Sequence, residues 1–117
     1  MKFRTNLILL LFFPVFADAQ HLPDSLRNAY VNAPDDITQY NIGKYLYDYY
    51  EESNIDSAFY YAQQCLQLAR KNNEVLAEAY YMDNTAYQLI GLGKYAEALQ
   101  YVLDVFKIVE DPKNERQ

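Results

Sequence analysis

The fold is decided by the stretch Ala86-Tyr87-Gln88-Leu89-Ile90-Gly91-Leu92-Gly93-Lys94-Tyr95-Ala96-Glu97-Ala98-Leu99-Gln100-Tyr101. A helical run ends at the glycine-punctuated turn, and a second helical run begins after it. We expect Ala86 and Ala98 where the two helices cross, because small side chains let two backbones approach closely. Tyr95 is expected to pack against that crossing. The stretch therefore predicts an antiparallel helix pair.

A similar pair precedes this one by 40 residues. That shift aligns four identical pairs, which are Tyr40/Tyr80, Tyr47/Tyr87, Ala58/Ala98 and Tyr61/Tyr101. A register kept over two helices and their turn is typical of an α-solenoid, in which each repeat is one helix pair. We found no strict apolar/polar alternation of the kind that marks strands. The sequence predicts an all-α fold, an α-solenoid of about two antiparallel helix pairs preceded by one short helix. Leu46 stands where the second pair has Ala86, so a wider or shifted crossing is expected in the first pair.

The first twenty residues have the pattern of a secretory signal. Lys2 and Arg4 precede an apolar run over residues 7–16, and Ala17 and Ala19 supply the small residues of a cleavage site. The apolar run has about ten residues, whereas a membrane-spanning helix needs about twenty, so an uncleaved anchor is the weaker alternative. We expect cleavage after Ala19, export to the periplasm or cell envelope, and no membrane span. The domain boundaries predicted are a signal peptide at 1–19, an N-terminal helix at 20–34, and repeat units at 35–73 and 74–117.

The second unit resembles a tetratricopeptide repeat (TPR), whose pattern has a small residue in the first helix, Gly-x-Tyr at the turn and Ala early in the second helix. Ala86, the run Gly93-Lys94-Tyr95 and Ala98 carry this resemblance. With the signal peptide, the run at residues 22–26 and the run at residues 54–62, the chain is similar to the exported regions of Bacteroidetes-type TPR sensor histidine kinases and regulators. The resemblance implies the sensing or docking segment of an envelope signalling receptor, either as the N-terminal piece of such a receptor or as a free-standing relative.

The TPR resemblance also implies that the first helix of each pair lines a concave surface. The residues predicted to form a groove there are Tyr40, Lys44, Tyr47, Tyr80, Asp83, Asn84 and Tyr87. Tyrosine rings would hold an extended peptide, and the polar neighbours would bind its backbone. The alternative is that some of these rings pack between units. The residues predicted to pack the repeats themselves are Ala58, Ala86, Tyr95 and Ala98.

Composition argues against catalysis and against several kinds of ligand. The net charge of −6 disfavours nucleic acid, because Lys and Arg must replace the counterions along phosphates. One Cys and one His leave no set of ligands for a Cys- or His-based metal site. Cys65 falls in an apolar helical stripe, which predicts a buried thiol. We therefore predict no enzyme activity, no cofactor and no metal, and a protein or peptide as partner. The alternative is a small scaffold that self-associates through its aromatic faces as a homo-oligomer.

Overall fold

The computed structural model describes residues 22–114, so the predicted signal peptide, its cleavage site and His21 lie outside the described residues. The described elements are α1 at residues 22–31, α2 at Asp36–Tyr50, α3 at Ile55–Lys71, α4 at Val75–Gly91, α5 at Tyr95–Val109 and a 3-10 turn at Pro112–Asn114. These residues form no strand. The predicted all-α fold is confirmed.

Side-chain caps fix the starts of α2 and α3. The Oδ1 atom of Asp35 accepts a hydrogen bond from the backbone N–H of Thr38 at 2.7 Å. Asn54 Oδ1 accepts from the backbone N–H of Ser57 at 3.0 Å in the same way. Each bond satisfies one of the N–H groups that a helix start leaves without an intrahelical partner. The side chains of Asp35 and Asn54, which stand immediately before α2 and α3, therefore set where these helices begin.

Left-handed residues end α3 and α4. Asn73 has a φ of 55° and Gly93 has a φ of 76°. After each of them a backbone N–H reaches back five residues, from Glu74 to the carbonyl of Ala69 at 2.9 Å and from Lys94 to the carbonyl of Leu89 at 2.8 Å. This is the hydrogen bond of a Schellman motif, which satisfies carbonyls at a helix end. The two joints therefore turn the chain in the same way.

Successive helices pack side by side, and α1, α3 and α5 form one layer. The ring of Tyr30 in α1 meets the ring of Tyr61 in α3 edge to face at 5.5 Å, and the Tyr30 hydroxyl donates to Gln64 Oε1 at 3.4 Å. Further along, Gln63 Nε2 in α3 donates to the Tyr101 hydroxyl in α5 at 3.4 Å. The helices α2 and α4 form the other layer. This two-layer arrangement of helix pairs is the predicted solenoid.

The helices α2 and α3 come into close contact at Gly43. A Cβ atom at Gly43 would stand 2.9 Å from Cys65 Sγ in α3 and 3.3 Å from Tyr30 Cε2 in α1. Leu46 has no exposed surface and lies in the same core cluster as Ala58. The small residue that permits this close contact is Gly43, which the sequence analysis did not single out.

Three of the four predicted repeat-packing residues are buried. Ala58 belongs to the main core, and Ala86 and Ala98 share a second buried cluster with Leu89. The prediction for Tyr95 is wrong, because 68% of its side chain is exposed. Tyr95 is the first residue of α5, and its ring lies on the outer side of that helix instead of inside the crossing.

Candidate protein-interaction surface

A cluster of tyrosine rings joins α2 to α4. The rings of Tyr40 and Tyr47 each meet the ring of Tyr81 edge to face, at 5.8 Å and 5.9 Å between centroids. Such pairs are favourable because the positive edge of one ring meets the negative face of the other. The Nε2 atom of Gln88 also donates to the Tyr47 hydroxyl at 3.2 Å. These contacts fix the spacing of α2 and α4 and so position every side chain on their outer side.

Tyr47 is a packing residue and does not line a groove. Its side chain is 1% exposed, so no ligand can contact the ring. Burial raises the pKa of its hydroxyl, and the hydrogen bond from Gln88 opposes that rise. The prediction that the Tyr47 ring faces a bound peptide is therefore wrong. The sequence left open the alternative that some rings pack between units. Tyr47, which is buried, fits that alternative, and the half-buried Tyr40 fits it in part.

Three of the predicted groove residues stand exposed on α4. Tyr80 and Tyr87 are 56% and 55% exposed, and Asp83 between them is also exposed. Their spacing of three and four residues places them on one side of the helix. The hydroxyls of Tyr80 and Tyr87 lie close enough to that of Tyr47 to help raise its pKa, although burial is the larger cause. The exposed rings therefore adjoin the buried cluster between α2 and α4.

Lys44 and Asn84 occupy equivalent positions in α2 and α4, 40 residues apart. The Lys44 ammonium lies 5.8 Å from the centroid of the Tyr40 ring, within the range of a cation–π contact. The Nδ2 atom of Asn84 is buried and makes no hydrogen bond within the described part of the chain. A buried donor without an acceptor is unfavourable, so this amide costs the fold some stability.

A cleft of about 380 Å³ opens where α2 and α4 begin and α3 ends. Its walls include apolar side chains of Ile37 and Leu68, and an ion pair of 2.9 Å between Lys71 Nζ and Asp36 Oδ2 stands beside it. The full lining is Asp36, Ile37, Tyr40, Leu68, Ala69, Asn72, Glu74 and Ala77. Sequence reasoning did not find this cleft, since its lining comes from three helices and the joint between two of them. The sequence signal that could have located the cleft is Ile37, an apolar residue at the start of α2. Its side chain is 74% exposed in the structure.

The surface defined by Tyr40, Lys44, Tyr80, Asp83, Asn84 and Tyr87 is called the α2–α4 face below. It offers rings, an amide donor, an ammonium and a carboxylate, which are groups that hold a polypeptide. Burial raises the pKa of the Cys65 thiol to about 12, so it is not positioned as a nucleophile. The described residues contain no cluster of His, Cys, Asp and Glu that could hold a metal ion.

A family model described as the SusR N-terminal TPR domain matches residues 21–113. The chain belongs to the SusR N-terminal TPR domain family. The match covers both helix pairs and α1, so the predicted TPR resemblance is confirmed for all the described helices. No curated protein and no solved structure gave a significant match. Of the helices described, none combines the length and the apolar character that crossing a bilayer requires. Membership of this TPR family indicates interaction with other proteins as the general role.

Proposed function

We propose that this protein is an exported interaction module that binds a peptide, or an extended segment of another protein, along the α2–α4 face. The observation that carries the proposal is the pair of half-exposed rings of Tyr80 and Tyr87, which stand with the exposed carboxylate of Asp83 on one side of α4. An extended polypeptide offers backbone N–H groups along its length, and Asp83 would accept from one of them while the rings cover neighbouring side chains. Membership of a TPR family supports the same role.

The binding mode follows from the side chains on the face. Tyr80 and Tyr87 provide large, rigid ring surfaces that lose little conformational freedom when a ligand covers them. The exposed Lys44 ammonium donates hydrogen bonds to the ligand, and the Asp83 carboxylate accepts them. The cleft beside Ile37 is large enough for a single anchoring side chain of the ligand. Binding sites commonly combine apolar rings, which provide contact area, with a few polar groups, which fix the register of the ligand.

We place this module in the cell envelope as the sensing or docking segment of a signalling receptor. The charged, apolar and small-residue segments at the N-terminus support export, and the resemblance to TPR sensor proteins supports the signalling role. The module has no catalytic step of its own in this proposal. It acts by binding, and the bound segment is the signal or the docked partner.

The test for binding is selection from a random peptide library displayed on phage, followed by calorimetry with the selected peptides. We expect Tyr80→Ala and Tyr87→Ala to weaken binding by about tenfold or more, which is about 1.4 kcal/mol, because each removes one of the two half-exposed rings on the α4 part of the face. Tyr60→Ala is the matched control, because Tyr60 is 51% exposed on α3, away from this face. Selected peptides that bind all three variants with the affinity of the original protein would contradict the proposal.

Export has a separate test. Protein recovered from the envelope fraction of the producing cells is expected to begin at Gln20, as measured by intact mass. Protein that starts at Met1 and stays in the cytoplasmic fraction would show that the N-terminal segment is not a cleaved signal.

A further inference from the structure

An apolar stripe runs along the exposed side of α5. Its members are between 47% and 68% exposed, and they recur at three- and four-residue steps. The stripe consists of Tyr95, Leu99, Leu103, Phe106 and Val109. We call it the α5 stripe. It belongs to a different side of the molecule from the α2–α4 face, because it lies on the layer that α3 and α5 share.

The repeat shows what this side of a helix pair normally contacts. A shift of 40 residues relates Leu99 to Phe59, Phe106 to Leu66 and Val109 to Ala69. In α3 these counterparts are covered by the next helix pair, since Leu66 and Ala69 are buried and Phe59 packs against the cluster of Ala86. The α5 stripe is therefore the side of the second unit that would contact a following repeat. No helix among the described residues covers it.

The opposite end of the described solenoid is more polar. On α1 the Arg27 guanidinium donates to the Asp24 carboxylate, and Asn32 donates to Asn28 at 3.1 Å, while the apolar side chains of Leu22 and Val31 are also exposed. Terminal repeats of solenoids carry a polar outer side because an apolar end exposes the core face of a repeat to water. Leu22 and Val31 stand at the two ends of α1, whereas the α5 stripe is continuous, so the α5 end is the one more suited to burial.

The area of the stripe is most of what one side of a dimer contact needs. Five large side chains that are about half exposed present roughly 600 Å² of mostly apolar surface, which is at the upper end of what monomeric proteins leave exposed in one patch. Stable interfaces bury about 800 Å² on each partner, and those of homodimers are the more apolar ones.

The charges at the two ends of α5 indicate how a second copy would lie. Lys94 stands at the start of the helix without a side-chain cap, and Glu110 stands at its end. Each has the unfavourable sign for its own helix dipole, because a helix start favours anions and a helix end favours cations. An antiparallel copy of α5 would bring Lys94 of one molecule to Glu110 of the other and would oppose the two dipoles.

We propose that a second copy of this chain covers the α5 stripe, with the two α5 helices antiparallel about a two-fold axis near Leu103. In this register Phe106 of each copy packs against Leu99 of the other, and each Lys94 pairs with Glu110 across the axis. A two-fold contact of this type uses the same patch on both subunits. The proposal goes beyond the function proposed above because it concerns other residues, and a monomer would leave peptide binding on the α2–α4 face untouched.

The test is sedimentation velocity of the purified full chain over a micromolar to millimolar concentration series. We expect a monomer–dimer equilibrium that Phe106→Gln weakens by about tenfold or more, because the residue lies in the centre of the contact. Tyr45→Gln is the matched control and should leave the dimer intact, because Tyr45 is an exposed ring on α2. Glutamine keeps the net charge unchanged, so a general change in repulsion cannot produce the difference.

A charge reversal tests the register. Glu110→Lys should weaken the dimer, and adding Lys94→Glu should restore it, although both changes improve the match of each residue to its own helix dipole. Circular dichroism of each variant verifies that the helices are retained. A protein that is monomeric at every concentration would overturn the proposal and leave the stripe to another chain. The proposal would also be overturned by a dimer that Phe106→Gln does not weaken, or by an open polymer. If the double reversal does not restore the dimer, the antiparallel register is wrong.

Discussion

The close approach at Gly43 makes a sharp prediction about Gly43→Ala. The new Cβ atom would stand 2.9 Å from Cys65 Sγ and 3.3 Å from Tyr30 Cε2, and both neighbours are buried in the core. Forcing a methyl group into a packed core costs about 1–3 kcal/mol. The gain in helix propensity from glycine to alanine is about 1 kcal/mol. We therefore expect a net loss of about 1 kcal/mol in the free energy of unfolding.

Thermal and urea unfolding followed by far-UV circular dichroism measures this change. For a domain of this size a loss of 1 kcal/mol lowers the Tm by about 4–8 °C. Gly91→Ala is the matched control, because its Cβ would meet only the Ile55 side chain, with Cδ1 at 3.2 Å. That atom is the free end of a flexible, partly exposed side chain, so it can move and the propensity gain should prevail. Gly91→Ala should be neutral or slightly stabilising.

The cause of the loss is tested by combining Gly43→Ala with Cys65→Ala. Removing the Sγ atom opens the space that the new methyl group needs, so the two changes should couple by about 1 kcal/mol in a double-mutant cycle. If Gly43→Ala stabilises the protein as Gly91→Ala does, the packing argument fails. If its penalty is the same with and without the thiol, the contact assigned to Cys65 is not the reason.

Three further predictions concern other side chains of the core and the rim. Tyr47→Phe leaves the buried Gln88 amide without its acceptor and should cost about 1–2 kcal/mol, measured by the same unfolding experiments; an unchanged Tm would contradict this. The Lys71 ammonium holds the pKa of the Asp36 carboxyl below its usual range, so stability from this pair is present above the unfolded pKa near 4 and is lost as the pH falls. The Tm difference between the original protein and Asp36→Asn should therefore shrink between about pH 6 and about pH 3, and a constant difference would exclude the pair as its source. Burial raises the pKa of Cys65 to about 12, so iodoacetamide should label it at neutral pH only after unfolding, as detected by intact mass; labelling of the folded protein would contradict its burial.

Local sequence patterns were sufficient for the fold. Apolar spacing, polar joints and the run at Gly91–Gly93 placed the helices, because these signals act within a few residues of one another. The 40-residue register then paired them, and Ala86 and Ala98, which it predicts to pack the repeat, lie in one buried cluster. The close contact of α2 with α3 at Gly43 was harder to predict, since Gly43 does not align with Ala86.

The surface could be predicted only in part, because equivalent positions in a repeat meet different neighbours. Tyr47 and Tyr87 share one register position, yet Tyr47 is buried under α4 and Tyr87 is exposed. Ile55 and Tyr95 are likewise equivalent, and Ile55 contacts Gly91 while Tyr95 meets solvent. The sequence of one helix predicts on which side of that helix a residue lies. Whether that side is buried depends on the helix that packs against it.

The absence of tryptophan among 13 tyrosines gives this protein its own optical reporter of unfolding. Burial raises the pKa of Tyr30 to about 12 and also raises that of Tyr81, whereas half-exposed rings such as Tyr80 and Tyr87 keep their hydroxyls near solvent. On alkaline titration the ultraviolet absorbance of tyrosinate should therefore show a late stage from these two buried rings, and that stage marks the opening of the helical stack. The progress of that opening can be followed without a dye, a label or an added fluorophore.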